Sequence, residues 1–113
     1  MRLEDLLEKK MAFTGIFFKD RTHMTWHHGS PLKRPEGVEP GDRARVKVVG
    51  KYSDKQVSCL IVVWEGQKKQ PSGKLLHITT KVQNGGKPVM SGERATKKGY
   101  KEVTPYWIEG NWK

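Results

Sequence analysis

Four histidines occur, His23, His27, His28 and His77, and two of them open the same short pattern: His23-Met24-Thr25-Trp26 and His77-Ile78-Thr79-Thr80. On a β-strand, residues i and i+2 share a face. His23 and Thr25 are therefore expected to face one way while Met24 and Trp26 enter the core. His77 and Thr79 should do the same beside Ile78. Each motif offers one imidazole and one hydroxyl to a common surface, with the two motifs 54 residues apart. An imidazole with a pKa of about 6.5 can take or give a proton near neutral pH. One neutral histidine would remove a proton from a nucleophile, and one protonated histidine would give a proton to a leaving oxygen. The two threonine hydroxyls would bind non-bridging phosphate oxygens and stabilise the charge that develops on them. This is chemistry suited to phosphodiester cleavage, and it requires no metal.

The remaining candidates carry less. His28-Gly29-Ser30 matches the pattern formally, but Gly29 has no apolar side chain and the segment enters a loop. His27 stands at an even offset from His23 and would share its face on a regular strand, either assisting phosphate binding or simply solvated at the strand end. Lys81, two residues after Thr79, would extend the second motif and contact phosphate or a flanking nucleotide. Lys74, Lys87 and Arg94 are weaker candidates from the same basic region, where any given cation is ordinarily a solvated surface group. The histidines and Cys59 lack the spacing of a zinc site, with neither Cys-x-x-Cys nor His-Glu-x-x-His, so no metal and no cofactor is expected. Asn84-Gly85-Gly86 lacks the Lys-Ser/Thr of a phosphate loop and is expected to be a turn.

The elements that must hold these residues emerge from the pattern of apolar positions. Residues 2–10 are expected to form a short helix, with Leu3, Leu6 and Leu7 on one face. Strands are expected over Met11–Lys19, Thr22–His27, Arg43–Val49, Gln56–Trp64 and Leu75–Val82, the fourth being the most apolar. Gly29–Asp42 holds three prolines and three glycines and is expected to be a loop, as is Glu65–Lys74, with Gly50–Lys55 turning the chain. From Lys87 the chain is basic and punctuated by glycine, and residues 93–113 form a basic, aromatic tail. Its Tyr106, Trp107, Ile108 and Trp112 would either anchor it to the domain or stack on a base. The fold class expected is α+β, compact and dominated by antiparallel strands.

With 113 residues, there is room for one domain with a modest core. Hydrophobic residues make up 35%, low for a globular chain, but four Trp, three Tyr and three Phe supply large apolar surfaces. The single cysteine, Cys59, has no partner for an internal disulfide, in keeping with a reducing cytoplasm. No stretch suits a signal peptide or a membrane span, so a soluble protein with no membrane partner is expected. The net charge of +10 is uneven: residues 1–66 hold 12 Lys/Arg against 9 Asp/Glu, and residues 67–113 hold 10 against 3. A basic second half favours a polyanionic ligand, nucleic acid or nucleotide first.

His-hydrophobic-Thr/Ser-hydrophobic, occurring twice, resembles the signature of the two-histidine (2H) phosphoesterase superfamily. That superfamily includes LigT-like RNA phosphoesterases and the cyclic phosphodiesterase domain of fungal tRNA ligase. The first motif matches fully; in the second, Thr80 replaces the usual final apolar residue. Phe13-Thr14-Gly15-Ile16 and Lys87-Pro88-Val89-Met90-Ser91 also look similar to the RNA-repair branch, so the resemblance covers roughly residues 12–92. It implies a bilobal sheet with the motifs facing each other across a cleft. His23 and His77 would be the acid/base pair, and Thr25 and Thr79 the phosphate binders. It further implies a metal-independent hydrolase of 2′,3′-cyclic phosphate RNA ends or of cyclic or 2′,5′-linked oligonucleotides, with a cytoplasmic location (the host's, for a viral protein). The chain is short for the superfamily, so the backing helices would be reduced and the cleft more open. A monomer or a homodimer fits. The alternative is a non-catalytic RNA- or nucleotide-binding module using the basic half and its aromatics. A scaffold protein with a basic face is a third possibility.

Overall fold

A computed structural model describes residues 13–28 and 33–113. The helix expected over residues 2–10 lies outside them. Six strands, β1 (Phe13–Phe18), β2 (His23–His28), β3 (Arg43–Ser53), β4 (Val57–Val63), β5 (His77–Val82) and β6 (Lys101–Trp112), form a closed barrel. A helix, α1 (Pro88–Lys98), joins β5 to β6. Around the barrel the order is β1-β2-β5-β4-β3-β6, and every neighbouring pair is antiparallel. The antiparallel α+β class expected from the sequence is the class observed. All six strands share this one barrel, so the two motifs stand on neighbouring staves of a single sheet.

Alternation along the strands fills the interior. Ile16, Met24, Val46, Val48, Val62, Leu76 and Ile78 are almost fully buried and occupy the lumen. Trp26, Trp64 and Trp112 close it with three edge-to-face contacts, ring centroids 5.2–6.1 Å apart. β4 is apolar on both faces because it is covered on both. Val62 belongs to the interior, whereas Cys59 and Ile61 lie outside under Ala95 of α1.

Two elements differ from the sequence expectation. Gly50–Lys55 is not a turn throughout: β3 continues to Ser53, with a bulge between Val48 and Gly50, and the chain turns at residues 54–56. The basic stretch from Lys87, with the tail expected over residues 93–113, instead holds α1 and β6, which pairs with both β3 and β1 to close the barrel. Helix α1 escapes an apolar-periodicity search because its buried face consists of Ser91, Gly92 and Ala95. Small residues let it lie close to the sheet, Pro88 starts it, Lys97 and Lys98 suit its C-terminal dipole, and Gly99 (φ 83°) ends it. Pro105 sits where β6 is out of register with β3, between the pairs Tyr106↔Val48 and Glu102↔Gly50, so its missing N–H breaks no ladder bond.

Candidate active site

β2 and β5 meet at one pair, Met24↔Ile78, the central residues of the two motifs. Both point into the core, with 0% and 1% exposure. Carried one residue either way, the antiparallel register sets His23 across from Thr79 and Thr25 across from His77 on the outer face. The histidines are then diagonal neighbours, roughly 7–8 Å apart by ordinary sheet geometry. A local two-fold axis through the Met24–Ile78 pair exchanges the motifs.

The correspondence extends to irregularities. In β2, Thr14 pairs with His27 and Gly15 with Thr25, leaving Trp26 as the extra residue of a bulge. In β5, Ser58 pairs with Lys81 and Cys59 with Thr79, leaving Thr80 as the extra residue. Each bulge thus falls at the fourth residue of its motif. Bulges of this kind re-aim the side chains beyond them, which corrects two expectations. His27 pairs with the fully buried Thr14 and lines a cavity of about 340 Å³ with Trp26 and Gln70, instead of joining His23. Lys81 is exposed and stands opposite Ser58, out of line with His77 and Thr79.

Each motif residue is held from outside the motif. The His23 ring stacks on Phe13 and Phe17 of β1, with centroids 4.6 and 5.3 Å away. Between those two phenylalanines, Gly15 passes so close to the backbone of Met24 that any side chain there would collide with its carbonyl. Thr25 is buried, and its carbonyl accepts a hydrogen bond from Gln70 Nε2 at 3.0 Å. His77 Nδ1 lies 2.8 Å from the carbonyl oxygen of Leu75. A carbonyl only accepts, so Nδ1 carries the proton and the neutral ring holds its lone pair on Nε2. The same ring packs on Gly92 of α1, where a Cβ would run into it. Thr79 Oγ1 is 2.8 Å from Ser91 Oγ, which in turn donates to the Pro88 carbonyl at 2.9 Å. Thr79 Oγ1 also lies 3.5 Å from that carbonyl, so the two hydroxyls and the Pro88 oxygen form one small cluster.

Beneath this surface the Cys59 thiol is pushed up to about 11, chiefly by burial, so it stays protonated at neutral pH. Its Sγ–H points to the Ser91 carbonyl at 3.8 Å. Two of the weaker cation candidates serve other links: Lys74 Nζ pairs with Glu93 at 3.4 Å, and Arg94 contacts Asp54 at 2.8 Å and Gln56 at 2.7 Å, while Lys87 is exposed. Among the described residues no group of three or more His, Cys, Asp or Glu side chains could hold a metal ion. No described helix is long and apolar enough to cross a membrane.

Ser91, Gly92, Phe13 and Phe17 are the contributors that motif reasoning did not assign. Phe13 and Ser91 fall in the two further stretches on which the resemblance rests, yet nothing in their spacing reveals that they touch Thr79 or His23. No protein-family model, curated protein or solved structure matches the chain.

Proposed function

We propose that the chain is a metal-independent phosphodiesterase of the 2H type, with His23 and His77 as the acid/base pair and Thr25 and Thr79 binding phosphate. Support comes foremost from the two-fold arrangement of the motifs about Met24↔Ile78, each carrying a bulge at its fourth residue. Two such motifs on one face would offer an imidazole and a hydroxyl to either side of a phosphate, with the buried Thr25 hydroxyl reached from within the site. A single closed barrel stands in place of the two lobes that the resemblance implies.

In the proposed reaction, one neutral imidazole takes a proton from water as its oxygen attacks phosphorus. The opposite imidazolium donates a proton to the departing ribose oxygen, so the P–O bond breaks without releasing an alkoxide. With Nδ1 bound to Leu75, His77 would work through Nε2 in either role. Thr79 would turn its hydroxyl proton toward a non-bridging oxygen as charge builds there. Substrates of this class are 2′,3′-cyclic phosphate ends of RNA and cyclic or 2′,5′-linked oligonucleotides.

The test is turnover in EDTA on 2′,3′-cyclic nucleotides, 2′,5′-oligoadenylates and cyclic dinucleotides. Wild type is expected to turn over at least one of them. His23→Ala and His77→Ala should each lose on the order of a hundred- to ten-thousand-fold in kcat while remaining folded. Turnover surviving in both variants, or absent in the wild type on every compound, overturns the proposal.

A further inference from the structure

On the barrel wall formed by β3 and β6, Trp107 is 58% exposed. It stands opposite Lys47 in the register. The Arg45 guanidinium lies 5.3 Å from its ring centroid and the Lys47 ammonium 5.9 Å. Among the described residues neither cation joins an ion pair, although Arg45 is directly across from Glu109. Arg43, Arg45 and Lys47 alternate with buried Ala44, Val46 and Val48, so the three cations share the outer face. Beside them lies a cavity of about 580 Å³ that has Arg43, Arg45 and Trp107 on its wall together with four carboxylates, Glu36, Asp42, Glu65 and Glu109, so phosphate contact falls to the β3 cations and the cavity itself suits a donor-bearing base edge. An indole packed in a core needs no such setting; Trp112, in the same strand, is 1% exposed and makes none of these contacts.

We propose that this face binds an unpaired base of a single-stranded nucleic acid. The base stacks on Trp107, Arg43, Arg45 and Lys47 meet the flanking phosphates, and Glu65 and Glu109 accept hydrogen bonds from the amino edge of the base. The combination of an exposed ring, unpaired cations and nearby carboxylate acceptors matches the three parts of a nucleotide: π-face, phosphate and donor edge. A base within a duplex has both faces already stacked and offers none to the indole. The site is separate from the histidine motifs and stands whether or not the chain cleaves phosphodiesters.

Fluorescence anisotropy of a labelled unstructured 12-mer, as RNA and as DNA, with the full chain in EDTA tests this. Wild type is expected to bind a single strand of at least one sugar type and to prefer it to the blunt duplex of the same sequence. Trp107→Ala should weaken that binding on the order of ten-fold or more, and Trp107→Phe, which keeps a ring, should recover most of it. Arg45→Gln and Lys47→Gln should each flatten the dependence of log K on log salt by roughly 0.7. Absence of binding, duplex binding as tight as single strand, or a Trp107→Ala variant that binds like wild type each overturns the proposal. Because all these positions are exposed or half-buried, a thermal melt of each variant separates lost binding from lost fold.

Discussion

Gly92 lies on α1 where a methyl group would strike the His77 imidazole. The ring cannot yield without surrendering the bond from Nδ1 to the Leu75 carbonyl, since that bond fixes its tilt. Gly92→Ala should therefore cost about 1–3 kcal/mol, the usual range for forcing an extra methyl into a packed site. In the His77→Ala background the obstruction is gone, and alanine is intrinsically better than glycine in a helix by up to about 1 kcal/mol. There the same substitution should become neutral or stabilising. A double-mutant cycle by urea unfolding reads the sign directly; equal costs in the two backgrounds would mean that Gly92 does not seat the imidazole.

At the scale of elements, Asp54 links the β3–β4 turn to α1. Its carboxylate accepts from the Tyr52 hydroxyl at 2.7 Å, from the backbone N–H groups of Gln56 and Val57 at 2.8 and 2.9 Å, and from Arg94 of α1 at 2.8 Å. Those bonds, the Tyr52 hydroxyl first, hold its pKa well below the ordinary carboxylate range, and the Tyr52 phenol is raised in return. A carboxyl depressed in the folded state stabilises the fold fully above its unfolded pKa of about 4 and loses that contribution as pH falls below it. Melting temperature should thus drop on acidification below about pH 4, and Asp54→Asn should flatten that drop while lowering the plateau near neutrality. Equal slopes in both proteins would rule out this role. Asp20, similarly depressed by Thr22, keeps the residual slope of the variant above zero. The strands of this region were legible because Arg43–Val48 alternates strictly and Val57–Val63 is apolar except at Ser58. Helix α1 was not, since Ser91, Gly92 and Ala95 bury backbone-close surface with almost no hydrophobic signal. Likewise the even spacing that put Lys81 beside Thr79 and His27 beside His23 held only for an unbroken pleat; the bulges at Thr80 and Trp26 are invisible to alternation alone.

For the whole molecule, strand order sets β2 and β5 on one side of the barrel and β3 and β6 on the other. The two proposed surfaces are therefore back to back, and a strand stacked on Trp107 leaves the histidine motifs uncovered. A continuous row of register partners, Arg43–Asn111–Phe17–His23, runs round the wall from one surface to the other. That circuit passes through β6, which pairs with β3 on one edge and β1 on the other and sends Trp112 into the core. A chain ending at Gly99 would leave both edges open and the tryptophan cluster short of one ring, so it should show no cooperative thermal transition and little amide protection. A sharp melt in that truncation would mean that five strands suffice. The same closure bears on how the protein is made. β1 emerges from the ribosome with its final partner still untranslated, and at ordinary elongation rates it waits on the order of ten seconds for β6. During that interval the nascent chain exposes sticky strand edges to its surroundings, so its yield in a cell should depend on the chaperones that meet it there as well as on the stability of the finished barrel.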